Sequence, residues 1–127
     1  MILGLGMDVV EVGRIARILD GPAGRSTRFL ARCFTPAERA FCEARHDRAS
    51  RYAARFAAKE AAVKALGAPL GVRWQDLEVT RSEGLAPTLV LAGRAAAEAG
   101  RLGVTRAHLT ITHDAGVAAA VVVLEGV

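Results

Sequence analysis

Arg55-Phe56-Ala57-Ala58-Lys59-Glu60-Ala61-Ala62-Val63-Lys64-Ala65-Leu66-Gly67 sets two lysines and one acid on an alanine background. Alanine is the strongest helix former, and Gly67 followed by Pro69 is a stop signal. The stretch therefore predicts the end of a long helix running from about Arg48 to Leu66. Glu60 and Lys64 are one turn apart on one face, flanked by Lys59 and Val63. They can form an ordinary helix ion pair, or together they can touch one metal ion or phosphate. The alanines between them let the helix pack close to a neighbouring strand.

Working outward, Met1 to Val12 is apolar and β-branched around Gly4 and Gly6, and it reads as a first strand that ends near Asp8. A helix follows through Val12 to Leu19, broken by Asp20-Gly21-Pro22-Ala23-Gly24. A second short helical stretch then carries Arg25, Arg28 and Arg32, with Phe29 and Leu30 inward. Thr35-Pro36-Ala37-Glu38 has a cap hydroxyl, a first-turn proline and an acid three residues on, the signature of a capping box. Beyond the long helix, Trp74 to Thr80 alternates as a strand, Gly84-Leu85-Ala86-Pro87 turns, and Thr88 to Leu91 is a second strand. Gly93 to Leu102 is a short helix. His108 to His113 and Val117 to Glu125 form a hairpin about Asp114-Ala115-Gly116. The order condenses to a strand, three helices, two strands, a helix and a closing hairpin, an α+β fold in one domain spanning 1–127.

Composition narrows the function. The chain of 127 residues is 52% hydrophobic but only 5% aromatic, with net charge +4, so an acidic partner is favoured while platforms for stacking bases are scarce. A basic nucleic-acid-binding module is the alternative from another functional class, and no recognised motif supplies it with base readout. No apolar run reaches membrane-span length, and the acid at position 8 breaks any signal-peptide pattern, so a cytoplasmic protein is expected, with no membrane partner. Cys33 and Cys42 are too few for a disulfide framework and have no zinc-site spacing.

Asp8 and Glu60 both interrupt apolar surroundings, where an unpaired carboxylate is costly. A divalent cation resolves that cost, and two carboxylates with open positions suit Mg²⁺, which takes its remaining ligands from water and substrate phosphates. Lys64 would neutralise phosphate charge nearby. Asp8 can equally cap the following helix, and Glu60 can pair with Lys64 or Arg55. His113, beside Asp114 at a strand end, can hold a phosphate, move a proton or simply finish the hairpin. His46 and His108 have no motif context and read as surface residues. Arg14, Arg17, Arg25, Arg28 and Arg32 form a basic stripe, either a solvated face or a dock for an acidic helix.

Taken in order, these pieces resemble holo-[acyl-carrier-protein] synthases, the small 4′-phosphopantetheinyl transferases. The resemblance is carried by Gly6-Met7-Asp8 with Arg14, Phe29 with Arg32, Thr35-Pro36-Ala37-Glu38, the block Arg55 to Gly67, and Thr110-Ile111-Thr112-His113-Asp114. It implies transfer of 4′-phosphopantetheine from coenzyme A to a serine of apo acyl carrier protein, with release of adenosine 3′,5′-bisphosphate. It further implies Asp8 and Glu60 as Mg²⁺ ligands, and Lys64 on the phosphates and leaving group. Glu60 would take the serine proton, directly or through a metal-bound water. Arg55, Lys59, Thr112, His113 and Pro87 would join Lys64 around the nucleotide. Arg14, Arg17, Arg25 and Arg28 would dock the acidic carrier protein, and a homotrimer would share each site between two subunits. The sequence departs from the family at Ala68-Pro69-Leu70-Gly71, where many relatives have Thr-Gly, and at Leu85-Ala86-Pro87, where relatives often carry a basic residue before the proline.

Overall fold

The structure, a computed structural model, describes residues 1–81 and 84–127. The expected turn from Gly84 to Pro87 is described, whereas Ser82 and Glu83 ahead of it lie outside the described residues. β1 (Ile2–Glu11) leads into α1 (Val12–Leu19), α2 (Ala23–Cys33), α3 (Pro36–Glu43) and α4 (Arg48–Ala65). Then come β2 (Leu77–Thr80), β3 (Thr88–Leu91), α5 (Gly93–Leu102), β4 (Val104–Asp114) and β5 (Val117–Gly126). The α+β class holds, but four helices rather than three separate β1 from β2, because the short helical stretch bearing Arg25, Arg28 and Arg32 is a full helix of 11 residues that counts beside the other three.

Two further expectations are corrected. β1 does not end near Asp8 but continues to Glu11, so Asp8 lies inside the strand, opposite Ala120. Backbone pairing with β5 is what carries it on: Val9, Val10 and Glu11 face Ala119, Ala118 and Val117 in unbroken register. Similarly, Trp74–Asp76 is a single 3-10 turn rather than the start of a strand, since the Asp76 carboxylate accepts the Arg73 N–H at 3.1 Å and closes the turn locally. Elsewhere the capping box forms as read, the Thr35 hydroxyl accepting from Glu38 N–H at 3.2 Å and the Glu38 carboxylate from Thr35 N–H at 2.9 Å. The closing hairpin turns through Ala115 and Gly116, both at positive φ, as a two-residue turn between right-twisted strands requires.

A three-stranded antiparallel sheet, ordered β1-β5-β4, carries α4 across one face, and β2 and β3 form a separate antiparallel ribbon. On the covered face, Ala118, Ala120, Val122 and Leu124 of β5 and Val10 of β1 are buried against Ala57, Ala58, Ala61, Ala62 and Ala65 of α4. The small residues matter at the crossing. A Cβ on Gly6 would collide with the Ala61 carbonyl, and one on Gly4 with that of Ala65, so strand and helix backbones are nearly in contact. Gly6→Ala must push α4 off the sheet, and we expect it to cost about 3 kcal/mol, read as a lower midpoint in urea unfolding. The opposite sheet face keeps Leu5, Met7, Val9 and Val117 exposed in the single chain.

Candidate active site

Charged side chains on this scaffold gather in two clusters. The first joins β1 to α4. Lys64 Nζ donates to Asp8 Oδ1 at 3.1 Å and to the Met7 carbonyl at 3.0 Å, so the lysine crosses to the strand instead of pairing along its own helix with Glu60. Glu60 has no salt-bridge partner among the described residues. Burial raises its carboxyl above the usual range, and the charge of Asp8 raises it further against the opposing pull of Lys64 and Arg14. Two carboxylates thus face one space, and the nearest ammonium is spent on one of them.

Hard oxygen donors in that arrangement fit a divalent cation. Among the described residues no group of three or more His, Cys, Asp and Glu side chains forms. Asp8 and Glu60 would therefore supply only part of a ligand set, the rest of the shell being left to water or phosphate oxygens, a donor set that would suit Mg²⁺ rather than a caged metal.

The sign of the Glu60 shift has a consequence for stability. Because its carboxyl titrates higher in the folded protein, the contribution of the protonated form is complete below the unfolded carboxylate range and is lost as pH rises through the raised folded value. At neutral pH the charged Glu60 weakens the metal-free fold. Glu60→Gln should therefore raise Tm at about pH 7, with the gain vanishing towards about pH 4, in thermal unfolding without metal. A Tm at neutral pH equal to or below wild type contradicts this electrostatic picture.

The second cluster surrounds a pocket of about 300 Å³ lined by Arg51, Ala54 and Arg55 of α4, Arg81 after β2, Pro87 before β3, and Ile111, Thr112 and His113 of β4. It unites four residues anticipated around the nucleotide, namely Arg55, Pro87, Thr112 and His113. Arg51 and Arg81 were missed. Arg51 had a usable signal, lying one turn before Arg55 on the same helix face. Arg81 had none, for only the fold brings the end of β2 here. Its Nε donates to the Leu85 carbonyl at 3.1 Å and so braces the turn that contains Leu85-Ala86-Pro87. Asp8, Glu60 and Lys64 do not line this pocket. β5 stands between the strands that carry Asp8 and His113.

Lys59, expected with the nucleotide contacts, reaches neither cluster. It is fully buried, its three ammonium protons committed to Glu38 at 2.7 Å, the Leu77 carbonyl at 2.7 Å and the Trp74 carbonyl at 2.9 Å. Its place is structural, because a buried ammonium must spend every donor to offset lost hydration. Arg14 and Arg17 on α1 and Arg25 and Arg28 on α2 are all exposed, Arg17 loosely paired with Glu11 at 3.4 Å. Arg25, Arg28 and Arg32 rim an open groove of about 810 Å³ whose walls include Phe29, Cys33, Phe56 and Trp74. Cys33 and Cys42 are free and buried, and burial pushes the Cys42 thiol up to about 12, so neither is a ready nucleophile.

Residues 4–122 match the profile of the 4′-phosphopantetheinyl transferase superfamily, and the chain belongs to that family. It is 71% identical to the holo-[acyl-carrier-protein] synthase of Anaeromyxobacter sp. (strain K), over 99% of this chain and 98% of that protein. Among solved structures it resembles the Helicobacter pylori holo-[acyl-carrier-protein] synthase in complex with coenzyme A, with a TM-score of 0.80 and 31% identity over 95% of this chain and 99% of that one. It also resembles the Bacillus anthracis holo-(acyl-carrier-protein) synthase in complex with CoA (3′,5′-ADP), with a TM-score of 0.79 and 33% identity over 100% and 99% of the two chains.

Proposed function

We propose that the two clusters are opposite ends of one coenzyme A site, the carboxylates at the pyrophosphate and the arginine pocket at the phosphorylated adenosine. The activity is that of a holo-[acyl-carrier-protein] synthase: 4′-phosphopantetheine passes from coenzyme A to a serine hydroxyl of apo acyl carrier protein, and adenosine 3′,5′-bisphosphate leaves. The observation that carries the residue assignment is the meeting of Asp8 with Glu60 and Lys64 at the crossing of β1 and α4.

Each side chain then has a task set by its surroundings. Asp8 and Glu60 would hold Mg²⁺, which supplies neutralisation of pyrophosphate charge when bound. Glu60, directly or through a water, would accept the serine proton as the oxygen attacks the β-phosphate and the bisphosphate leaves. Lys64 turns from Asp8 to the phosphates, where a compact ammonium stabilises charge gathering on the departing bisphosphate. Arg55, Thr112, His113 and Pro87 hold the nucleotide, joined by Arg51 and Arg81. Lys59 supports the site from within by fixing α4 against β2 and α3. A direct check of the carboxylate pair needs no turnover: Mg²⁺ should raise the Tm of wild type and leave that of an Asp8→Asn/Glu60→Gln variant unmoved. Equal stabilisation of both would remove the metal role.

The exposed arginines of α1 and α2 dock the acidic carrier protein, and the apolar groove beside them accommodates the partner's own apolar contacts. Charge at such a rim acts mainly on encounter. Arg25→Glu/Arg28→Glu should raise KM for the carrier protein at least about tenfold at low salt with kcat little changed, an effect that shrinks as salt is added. Leu5, Met7, Val9 and Val117 on the open sheet face support a homotrimer in which a neighbouring copy covers this surface and brings its arginine pocket towards the carboxylates. Light scattering on the purified protein should return three times the 13.3 kDa chain mass.

A further inference from the structure

The Arg55 side chain is 3% exposed, its Nε has no hydrogen-bond partner, and no carboxylate pairs with it among the described residues. What holds it is an aromatic ring. Its guanidinium carbon lies 4.1 Å from the centroid of Phe41, a residue of α3 that lines neither cluster. The guanidinium carbon of Arg45 lies 3.9 Å from the same centroid, and Arg45 Nη1 donates to the Phe41 carbonyl at 3.0 Å, clamping ring and backbone together. Arg51, the other helical arginine of the pocket, stands farther from that ring, its guanidinium carbon 5.8 Å from the centroid, and is paired with Asp47 at 3.1 Å.

We propose that Phe41 is the positioning residue of the arginine pocket, holding Arg55 in place by stacking so that its charge stays free for a phosphate monoester. The inference rests on the reading that this pocket takes the phosphorylated adenosine. A carboxylate would fix the guanidinium equally well, but it would neutralise the charge and compete with the incoming phosphate for the same N–H donors. An aromatic face attracts the cation weakly and leaves its edge donors unused. Burial lowers the Arg55 guanidinium from its usual value, and Arg51 and Arg81 add to this against the opposing pull of Cys42 and Glu38, so an arriving anion relieves a charge that burial disfavours. Preorganisation of a long, flexible side chain then shows as affinity and selectivity, not as rate of chemistry.

The experiment compares coenzyme A with 3′-dephospho-coenzyme A in steady-state assays of the full-length protein and its Arg55→Ala, Phe41→Leu, Phe41→Tyr and Phe41→Leu/Arg55→Ala variants. Phe41→Leu should raise KM for coenzyme A about tenfold with kcat nearly kept, and should erode the preference for the phosphorylated substrate. Phe41→Tyr, which keeps the ring, should stay near wild type. In the Arg55→Ala background Phe41→Leu should add nothing. If Phe41→Leu loses a cooperative unfolding transition, Phe41→Met is read in its place. An Arg55→Ala defect with an unaffected Phe41→Leu overturns the inference while the pocket reading stands. A Phe41→Leu penalty of the same size with and without Arg55 also overturns it, because the ring would then act through the fold at large. No defect in Arg55→Ala overturns the pocket reading itself, and this inference with it.

Discussion

Asp8→Ala and Glu60→Ala should each abolish transfer, lowering kcat by at least about a thousandfold, while the far-ultraviolet spectrum and the oligomeric state remain those of wild type. The expectation follows from what each change leaves behind. Removing Asp8 frees Lys64 from its 3.1 Å contact and, on the proposed reading, would take away one of two hard donors and with it the organised countercharge for the pyrophosphate. Removing Glu60 would delete the other proposed donor and the proposed base together. Both residues are only partly buried, and neither is part of the core, so loss of activity should not be loss of fold. Glu60→Gln separates these effects further, since it should be inactive yet more stable than wild type in the absence of metal. Turnover near wild type in either alanine variant removes the metal-ligand role.

Lys59→Met should destabilise the protein by about 3–5 kcal/mol, the largest stability effect expected of a single replacement here. Lys59 and Glu38 are both fully buried, and Glu38 also accepts from the Thr35 and Val79 amides at 2.9 Å. One carboxylate therefore caps α3, anchors β2 and balances the ammonium of α4. Taking away Lys59 leaves that carboxylate as an uncompensated buried charge and the Leu77 carbonyl without its ammonium donor, while the Trp74 carbonyl keeps only the Leu77 N–H. Glu38→Gln keeps the shape and part of the hydrogen bonding, but it strands the ammonium and should be costly as well. Joint replacement by Met and Leu should recover part of the loss, because an apolar pair of similar volume carries no desolvation penalty. Chemical unfolding of the two single variants and the pair measures this; two single variants within about 1 kcal/mol of wild type would contradict the network.

Much of this was legible because local chemistry and tertiary structure agree. Gly67 and Pro69 end α4 where the pattern places its end, Thr35 and Glu38 close their capping box, and β3, α5 and β5 fall close to their expected bounds, whereas β4 begins at Val104, ahead of the expected His108, because its pairing with β5 continues to Gly126. What was not legible depended on distant partners. The end of β1 is set by pairing with β5, and the turn at Trp74 by one carboxylate, so neither shows in hydrophobic alternation. Lys59 stands beside Glu60 in a charged motif and looks like its functional neighbour. Glu38, on another helix, and the Leu77 and Trp74 carbonyls turn it inward. Arg81 joins the pocket through the placement of the β2–β3 ribbon, and Phe41 enters through an aromatic contact with Arg55 that no spacing rule announces. The arginine stripe was visible in sequence, yet the apolar groove beside it was not, for Phe29, Phe56 and Trp74 come from three separate segments.

The most direct measurement is intact mass spectrometry of an apo acyl carrier protein incubated with this protein, coenzyme A and Mg²⁺, with adenosine 3′,5′-bisphosphate followed in the same reaction. The carrier should gain one phosphopantetheine per molecule, adenosine bisphosphate should appear in equal amount, and both should vanish with Asp8→Ala or after chelation of the metal. An unmodified carrier mass across several acyl carrier proteins, with coenzyme A left intact, would contradict the account.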